Sequence, residues 1–290
     1  MKKCPYCDFN SHEAKGEFPE QEYLDAVRLD LEQSLPLIWG RKIHTVFIGG
    51  GTPSLMSAKG LDRLLSDVRT LLPLEIDAEI TMEANPGTFE IEKFRHYRDS
   101  GVNRLSIGIQ SFNADHLKSL GRIHDEREAL RAVEIAHSTF DNFNLDLMYA
   151  LPSQTLEQAK RDLDTALSFA PPHLSLYHLT MEPNTVFAKY PPALPDDDAS
   201  ADMQDMIAEV TSSAGFEHYE VSAYAQPGRQ CAHNLNYWRF GDYLGIGAGA
   251  HGKLSSGATG DILRRWKLKN PRDYLEAAAV PARIGGDEAI

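Results

Sequence analysis

His44-Thr45-Val46-Phe47-Ile48-Gly49-Gly50-Gly51-Thr52-Pro53 reads as a short buried strand that runs straight into three glycines and a proline. A β-branched and aromatic run bounded by turn residues is a strand signal, and what lies on either side decides which kind of sheet it joins. Upstream, Tyr23, Val27 and Leu31 recur at helical spacing after Pro19. Downstream, Leu61, Leu64, Leu65, Val68 and Leu71 mark a helix, and Ile76 to Glu83 marks a strand that stops at Asn85-Pro86-Gly87. A helix near residues 89–99 precedes the strand Arg104 to Gln110. Helices around 114–120 and 126–138, a strand at 143–150, a helix at 156–169 and a strand from Leu174 to Leu179 complete the rhythm. Five strands alternating with helices predict right-handed crossovers and a parallel sheet covered by helices, an α/β fold. Periodicity leaves open whether that sheet is flat or curled into a barrel.

Beyond about residue 184 the pattern changes. Pro191-Pro192 and Pro195-Asp196-Asp197-Asp198 precede a helix near 198–214, and His218 to Tyr224 reads as a strand of an added region. The expected division is therefore 1–184 for the alternating domain and 185–290 for an α+β extension.

Composition narrows the function classes. With 42% hydrophobic and 24% charged residues the chain is ordinary for a folded protein, and 290 residues can bury a large core. A net charge of −13 argues against nucleic acid as a partner. No apolar run approaches the roughly 20 residues that span a bilayer, and no signal-peptide core opens the chain. Three cysteines, two of them in one motif, fit a reducing cytoplasm.

That motif is Cys4-Pro5-Tyr6-Cys7-Asp8-Phe9-Asn10-Ser11-His12. Two thiolates at this spacing can form a redox disulfide, hold zinc, or supply part of the ligand set of an iron-sulfur cluster. A glutaredoxin-like dithiol wants a preceding strand within a small βαβ fold, and none precedes Cys4. Zinc could take Cys4, Cys7 and His12, but a structural site needs four ligands and the third cysteine is Cys231. A CxxxCxxC pattern ending at Cys7 has its second cysteine at Cys4 and its first one position before Met1.

Several polar residues fall at predicted strand ends, where ligands bind in parallel α/β folds. Consecutive glycines at 49–51 let backbone amides approach a ligand, although a tight turn explains a lone glycine run about as often. Glu83 ends its strand, and Gln110 and Asp146 occupy comparable places. An acid between leucines in a buried strand is costly unless paired, so Asp146 is expected to meet a partner, with Arg122 either that partner or a plain helix-end cation. Each residue taken singly is more often structural than functional. A second cluster, Cys231-Ala232-His233-Asn234-Leu235-Asn236-Tyr237-Trp238, places one imidazole among aromatics, followed by the glycine-rich stretch from Gly241 to His251.

In combination these segments resemble radical S-adenosylmethionine (radical SAM) enzymes of the oxygen-independent coproporphyrinogen III oxidase group and, within it, the haem-chaperone (HemW) branch. The resemblance implies a partial (β/α)6 barrel whose first strand and first cluster cysteine lie before Met1, and a small C-terminal helical domain absent or cut short. It implies a 4Fe-4S cluster with Cys4 and Cys7 among its three cysteine ligands, and Tyr6 against the adenine of S-adenosylmethionine. The loop Gly50, Gly51 and Thr52 matches the segment that holds the methionine end of that cofactor, and Glu83, Gln110, Arg122 and Asp146 match its contacts. His233 in His-Asn-Leu-Asn-Tyr-Trp matches the proposed haem motif, with Cys231 as a rival ligand. The glycine stretch resembles the family's GDYLGIGPGAHS with Ala248 in place of proline.

Two functions from different classes then compete. One is a cytoplasmic chaperone that carries haem to acceptor proteins such as membrane-bound respiratory enzymes. The other is coproporphyrinogen III dehydrogenase, in which a radical removes hydrogen from propionate side chains before decarboxylation; the sequence singles out no catalytic residue for that reaction. The enzyme pattern has a further cysteine two residues after the last cluster ligand, where this chain has Phe9. That difference and the His-Asn-Leu-Asn-Tyr-Trp segment favour the chaperone.

Overall fold

The computed structural model describes residues 3–12, 18–87, 93–257, 259–277 and 284–289. The five expected strands are present in chain order: β1 (Ile43–Ile48), β2 (Leu74–Ala84), β3 (Arg104–Gln110), β4 (Phe143–Tyr149) and β5 (His173–His178). They lie side by side in that order, β2 to β5 pairing in parallel, in a sheet that curls into a half-barrel. The helices α1 (Glu20–Ser34), α2 (Ala58–Leu71), α3 (Phe94–Ser100), α4 (Ala114–Ser119), α5 (Glu126–Thr139) and α6 (Leu156–Ser168) occupy the connections. Of the helix expected at 89–99, residues 89–92 lie outside the described residues, and the helix seen starts at Phe94.

Local chemistry accounts for the boundaries. Asp125 and Glu128 cap α5 reciprocally, and Thr155 and Gln158 do the same for α6, each pair satisfying two backbone N–H groups that have no partner within the helix. α3 ends at Gly101, whose φ of 104° is open to glycine.

The alternation within the central strands positions the site. Leu105, Ile107 and Ile109 of β3, and Phe143, Leu145 and Leu147 of β4, are buried toward the helices, where Ala129, Ala132, Val133 and Ala136 of α5 pack. Each such side chain contributes about 1.5–3 kcal/mol by leaving water. The intervening residues, Ser106, Gly108, Gln110, Asn144 and Asp146, share the opposite, interior face. The register sets Glu83 beside Ser106, Gly108 beside Asp146, and Asp146 beside Ser175.

After β5 come α7 (Val186–Lys189) and α8 (Asp197–Ser213). The single strand expected at His218–Tyr224 is instead two short ones, β6 (Glu217–His218) and β7 (Ala223–Ala225), which pair antiparallel and extend the main sheet beyond β5. The four residues between β6 and β7 are used in reversing the chain. The C-terminal part holds α9 (Ala232–Trp238), α10 (Pro271–Glu276) and an antiparallel sheet of β8 (His251–Ser255), β9 (Ile262–Lys267) and β10 (Ile284–Ala289), in the order β10-β9-β8.

The chain divides into two compact units, Met1–Glu13 with Phe47–Leu55 and Ile80–Cys231, and Ala14–Val46 with Met56–Glu79 and Ala232–Ile290. In the second unit α1 packs on α2 and α10. There Asp30 accepts from Lys267 Nζ (2.5 Å) and the Tyr274 hydroxyl (2.8 Å), all three buried. The glycine-rich stretch is built into this unit as structure. Gly247 has φ 102°, the Ala248 N–H donates to the Tyr23 hydroxyl at 3.2 Å, and a Cβ on Gly245 would lie 2.2 Å from the His251 carbonyl oxygen.

Candidate cofactor and haem sites

The cysteine loop is anchored by its own residues. A Cys7 N–H to Cys4 C=O bond of 3.2 Å closes the turn, and the Pro5 carbonyl accepts from Phe187 N–H at 3.0 Å. Tyr6 packs with Leu120, Met148, Leu151, Leu179 and Phe187, so its ring serves as the hydrophobic anchor of the loop. Burial pushes its hydroxyl up to about 12. Gly121 explains how the loop comes so close: it has φ 66°, and a Cβ there would sit 2.8 Å from Pro5 Cδ.

Arg122 follows that glycine. One of its nitrogens, Nη2, donates to Asn85 Oδ1 (2.7 Å) and to the Gly108 carbonyl (2.8 Å), while Nη1 lies 4.0 Å from Cys4 Sγ. The expected Arg122–Asp146 pair is therefore absent. Asp146 is held by its own strand and its neighbour, accepting from Asn144 Nδ2 (2.8 Å) and Ser106 Oγ (3.1 Å). It lies within β4, not at its end. Burial raises its carboxyl, opposed by the hydrogen bonds from Asn144 and Ser106.

Glu83 lies under the glycine loop, its Oε2 accepting the Gly50 N–H at 2.9 Å. Gly50 and Gly51 have φ of 77° and 50°, and a Cβ on Gly49 would meet Phe47 and Glu83, so the loop needs glycine. Thr52 closes it by accepting the Leu55 N–H on its carbonyl at 3.1 Å. Burial, then the charge of Asp146, raises the Glu83 carboxyl to about 7. Gln110 ends β3 with φ 69°, its amide beside Gly108. Glu83 and Asp146 thus share one electrostatic environment with Tyr177, whose hydroxyl is raised by burial and by Asp146. Gln110, Arg122 and Asn85 surround Gly108.

Cys4 and Cys7 are free thiols on one turn, with the Arg122 guanidinium beside Cys4. Burial pushes the Cys7 thiol up. Among the described residues no three His, Cys, Asp or Glu side chains form a metal-binding group. The two thiols fit two ligands of an iron-sulfur cluster. The glycine loop and the carboxylates of Glu83 and Asp146 fit an amine- and hydroxyl-bearing cofactor.

His233 lies in α9 of the second unit. Its Nδ1 is 3.1 Å from Thr45 Oγ1 and its Nε2 3.1 Å from the Tyr237 hydroxyl, the ring meeting Tyr237 edge-on at 5.0 Å. Glu79 accepts the backbone N–H groups of Ala232 and His233, both at 3.1 Å. Tyr237, Trp238 and Phe240 are 45%, 58% and 61% exposed. Cys231 is 1% exposed, which leaves the rival ligand inaccessible without local opening.

Asn85, Ser106, Asn144, Tyr177, Thr45 and Glu79 all shape these sites and were not singled out by sequence motifs. For Asn144 and Ser106 a signal existed: polar residues at even positions among odd-numbered apolar ones in two consecutive strands.

The Radical SAM superfamily model matches residues 1–166. The chain is 54% identical to the heme chaperone HemW of Escherichia coli (strain K12) over 277 residues, covering 95% of this chain and 73% of the relative. It is 53% identical to the heme chaperone HemW of Haemophilus influenzae, with the same shares. Among solved structures, coproporphyrinogen III oxidase (HemN) from Escherichia coli, described as a radical SAM enzyme, is similar with a TM-score of 0.84 at 24% identity, over 100% of this chain and 69% of that one. The last likeness speaks to the fold.

Proposed function

Because this chain belongs to the radical SAM superfamily and, within it, to the HemW haem-chaperone family, we propose that it captures haem at His233 and passes it to acceptor proteins, and that it also holds a 4Fe-4S cluster and S-adenosylmethionine. The observation that carries the haem reading is an imidazole whose Nε2 lies 3.1 Å from the Tyr237 hydroxyl, in a segment where Tyr237 and Trp238 are both exposed. A neutral imidazole is a common axial ligand of haem iron. His233 would hold the haem iron through Nε2 in place of its Tyr237 contact, and Thr45 at Nδ1 would orient the ring, as partners of ligating histidines do. Tyr237 and Trp238 would supply apolar surface for the porphyrin.

In the first unit Cys4 and Cys7 would be two of the cluster thiolates. When bound, the cluster supplies an open iron for the amino-acid end of S-adenosylmethionine and, once reduced, the electron that radical chemistry needs. Around it Gly50 and Gly51 give the close backbone approach, Glu83 and Asp146 accept from amine and hydroxyl groups, Gln110 hydrogen-bonds, Arg122 holds Gly108 and Asn85 in place, and Tyr6 keeps the loop seated. Acceptors of haem include membrane-bound respiratory enzymes. Among the described residues no helix is long and apolar enough to cross a membrane; the cytoplasm as the place of action follows from the family reading.

Haem titration of wild type, His233→Ala and Cys231→Ser tests the reading, with coproporphyrinogen decarboxylation assayed alongside. His233→Ala should weaken binding and change the absorption spectrum, while Cys231→Ser should do neither. Unchanged binding in His233→Ala would remove the ligand assignment, and robust decarboxylation by the wild type would replace the chaperone with the dehydrogenase.

A further inference from the structure

Asp146 is the end of a buried chain of hydrogen bonds whose direction can be assigned atom by atom. Asn144 Nδ2 donates to Asp146 Oδ1 and to Ser106 Oγ, both at 2.8 Å. Its carbonyl oxygen therefore faces the other way, where it accepts Ser175 Oγ (3.0 Å) and meets His173 Nδ1 at 2.6 Å. An oxygen acceptor opposite Nδ1 makes that nitrogen the protonated one and leaves Nε2 a bare acceptor. The Tyr219 hydroxyl, 2.7 Å from Nε2, must donate to it. The Tyr219 oxygen in turn accepts the backbone N–H of Cys231 at 3.2 Å. The polarity runs one way from Cys231 through Tyr219, His173 and Asn144 to the carboxylate.

This arrangement is costly. His173 and Asn144 are essentially without solvent exposure, and a half-satisfied buried network is worse than an apolar core. Burial holds the His173 ring well below its ordinary range, so it is neutral, as the assigned tautomer requires. A carboxylate on a strand otherwise turns freely about its last bond. Here Asn144 takes one oxygen and Ser106 the other, so the carboxylate plane follows the Asn144 amide, and that amide follows His173.

We infer that His173 and Tyr219 are positioning residues for Asp146, setting the direction in which its carboxylate presents itself on the interior face. The inference rests on the reading of Asp146 as a cofactor contact and deepens it. It also ties the carboxylate to the backbone of Cys231, two residues before His233 in the chain.

The chain can be read without any cofactor, by NMR of the whole protein labelled with 15N-histidine and 13C-aspartate, with Asp146→Asn assigning the carboxylate. The wild type should show His173 as the neutral Nδ1–H tautomer from pH 5 to 8. Tyr219→Phe should release that single tautomer and move the Asp146 carboxyl resonance, and His173→Gln should move it too. An Nε2–H tautomer in the wild type, or an Asp146 resonance unmoved by both variants, would overturn the inference. Calorimetry with S-adenosylmethionine on the anaerobically iron-loaded protein supplies the second arm. Tyr219→Phe should bind about three- to tenfold more weakly, the size expected for one lost hydrogen bond, and should add nothing to Asp146→Asn. If Asp146→Asn alone binds like wild type, the cofactor reading of Asp146 falls while the NMR arm decides the positioning. If Asp146→Asn weakens binding and Tyr219→Phe does not, the positioning role is overturned.

Discussion

Replacing Asp30 with alanine should be among the most destabilising single changes in the second unit. The carboxylate is 0% exposed and its partner Lys267 is 2% exposed, so neither charge has water to fall back on. Removing one member of such a pair leaves the other buried and uncompensated, which costs about 3–5 kcal/mol. The Tyr274 hydroxyl also loses its acceptor, and the Gly247 N–H, a longer contact at 3.4 Å, loses its own. A cost at the upper end of that range is expected. Urea unfolding followed by tryptophan fluorescence reads it, because Trp266 adjoins Lys267 in β9. The double variant Asp30→Asn with Lys267→Met separates charge from packing. It removes both charges while an amide oxygen remains for Tyr274, so it should lie within about 1–2 kcal/mol of wild type. An Asp30→Ala cost below about 1 kcal/mol, or a double variant as unstable as the sum of its singles, would refute the view of this pair as a closed, water-free unit.

Asp162, buried and accepting from Ser111 Oγ and the Phe112 N–H, is raised by burial from its usual 3.8 to about 6. Its folded state therefore binds the proton more tightly than the unfolded chain, so its contribution is fully present below about pH 3.8 and is lost as pH rises through about 6. Relative to Asp162→Asn, the wild type should lose up to about 3 kcal/mol across that window in pH-dependent unfolding; parallel curves would contradict it. Gly121→Ala puts a methyl against Pro5 at a positive φ, so iron loading after anaerobic reconstitution should fall and the cysteine loop should be cut faster by protease, with Gly215→Ala as a control that meets no neighbour. Thr155→Ala removes the acceptor for the Gln158 N–H in the α6 capping box and should cost about 1 kcal/mol in thermal or urea unfolding; an unchanged midpoint would mean that this cap adds nothing to the packing of α6.

Much of the half-barrel was legible in the chain because its strands are short apolar runs between turn residues, and its helices repeat apolar positions every three or four residues. β3, with Leu105, Ile107 and Ile109 at alternate positions, could hardly be read otherwise. The glycine loop and the cysteine pair were visible for a related reason: both are local patterns whose chemistry does not depend on distant residues. What sequence could not supply was partnership. Asp146 was correctly read as needing a partner, yet Arg122 went to Asn85 and Gly108 while Ser106 and Asn144 took Asp146, because strand register sets which side chains face each other. The interval His218 to Tyr224 looked like one strand, since composition does not record where an edge pair reverses. Asp30 lies three residues after Val27 on the apolar side of α1, a hint of burial, but its counter-charge waits at Lys267, over two hundred positions along the chain. Spacing along the chain determines secondary structure because its forces act within a few residues; the match of a buried charge or amide to its partner is decided by tertiary packing, which brings together groups that the sequence keeps apart.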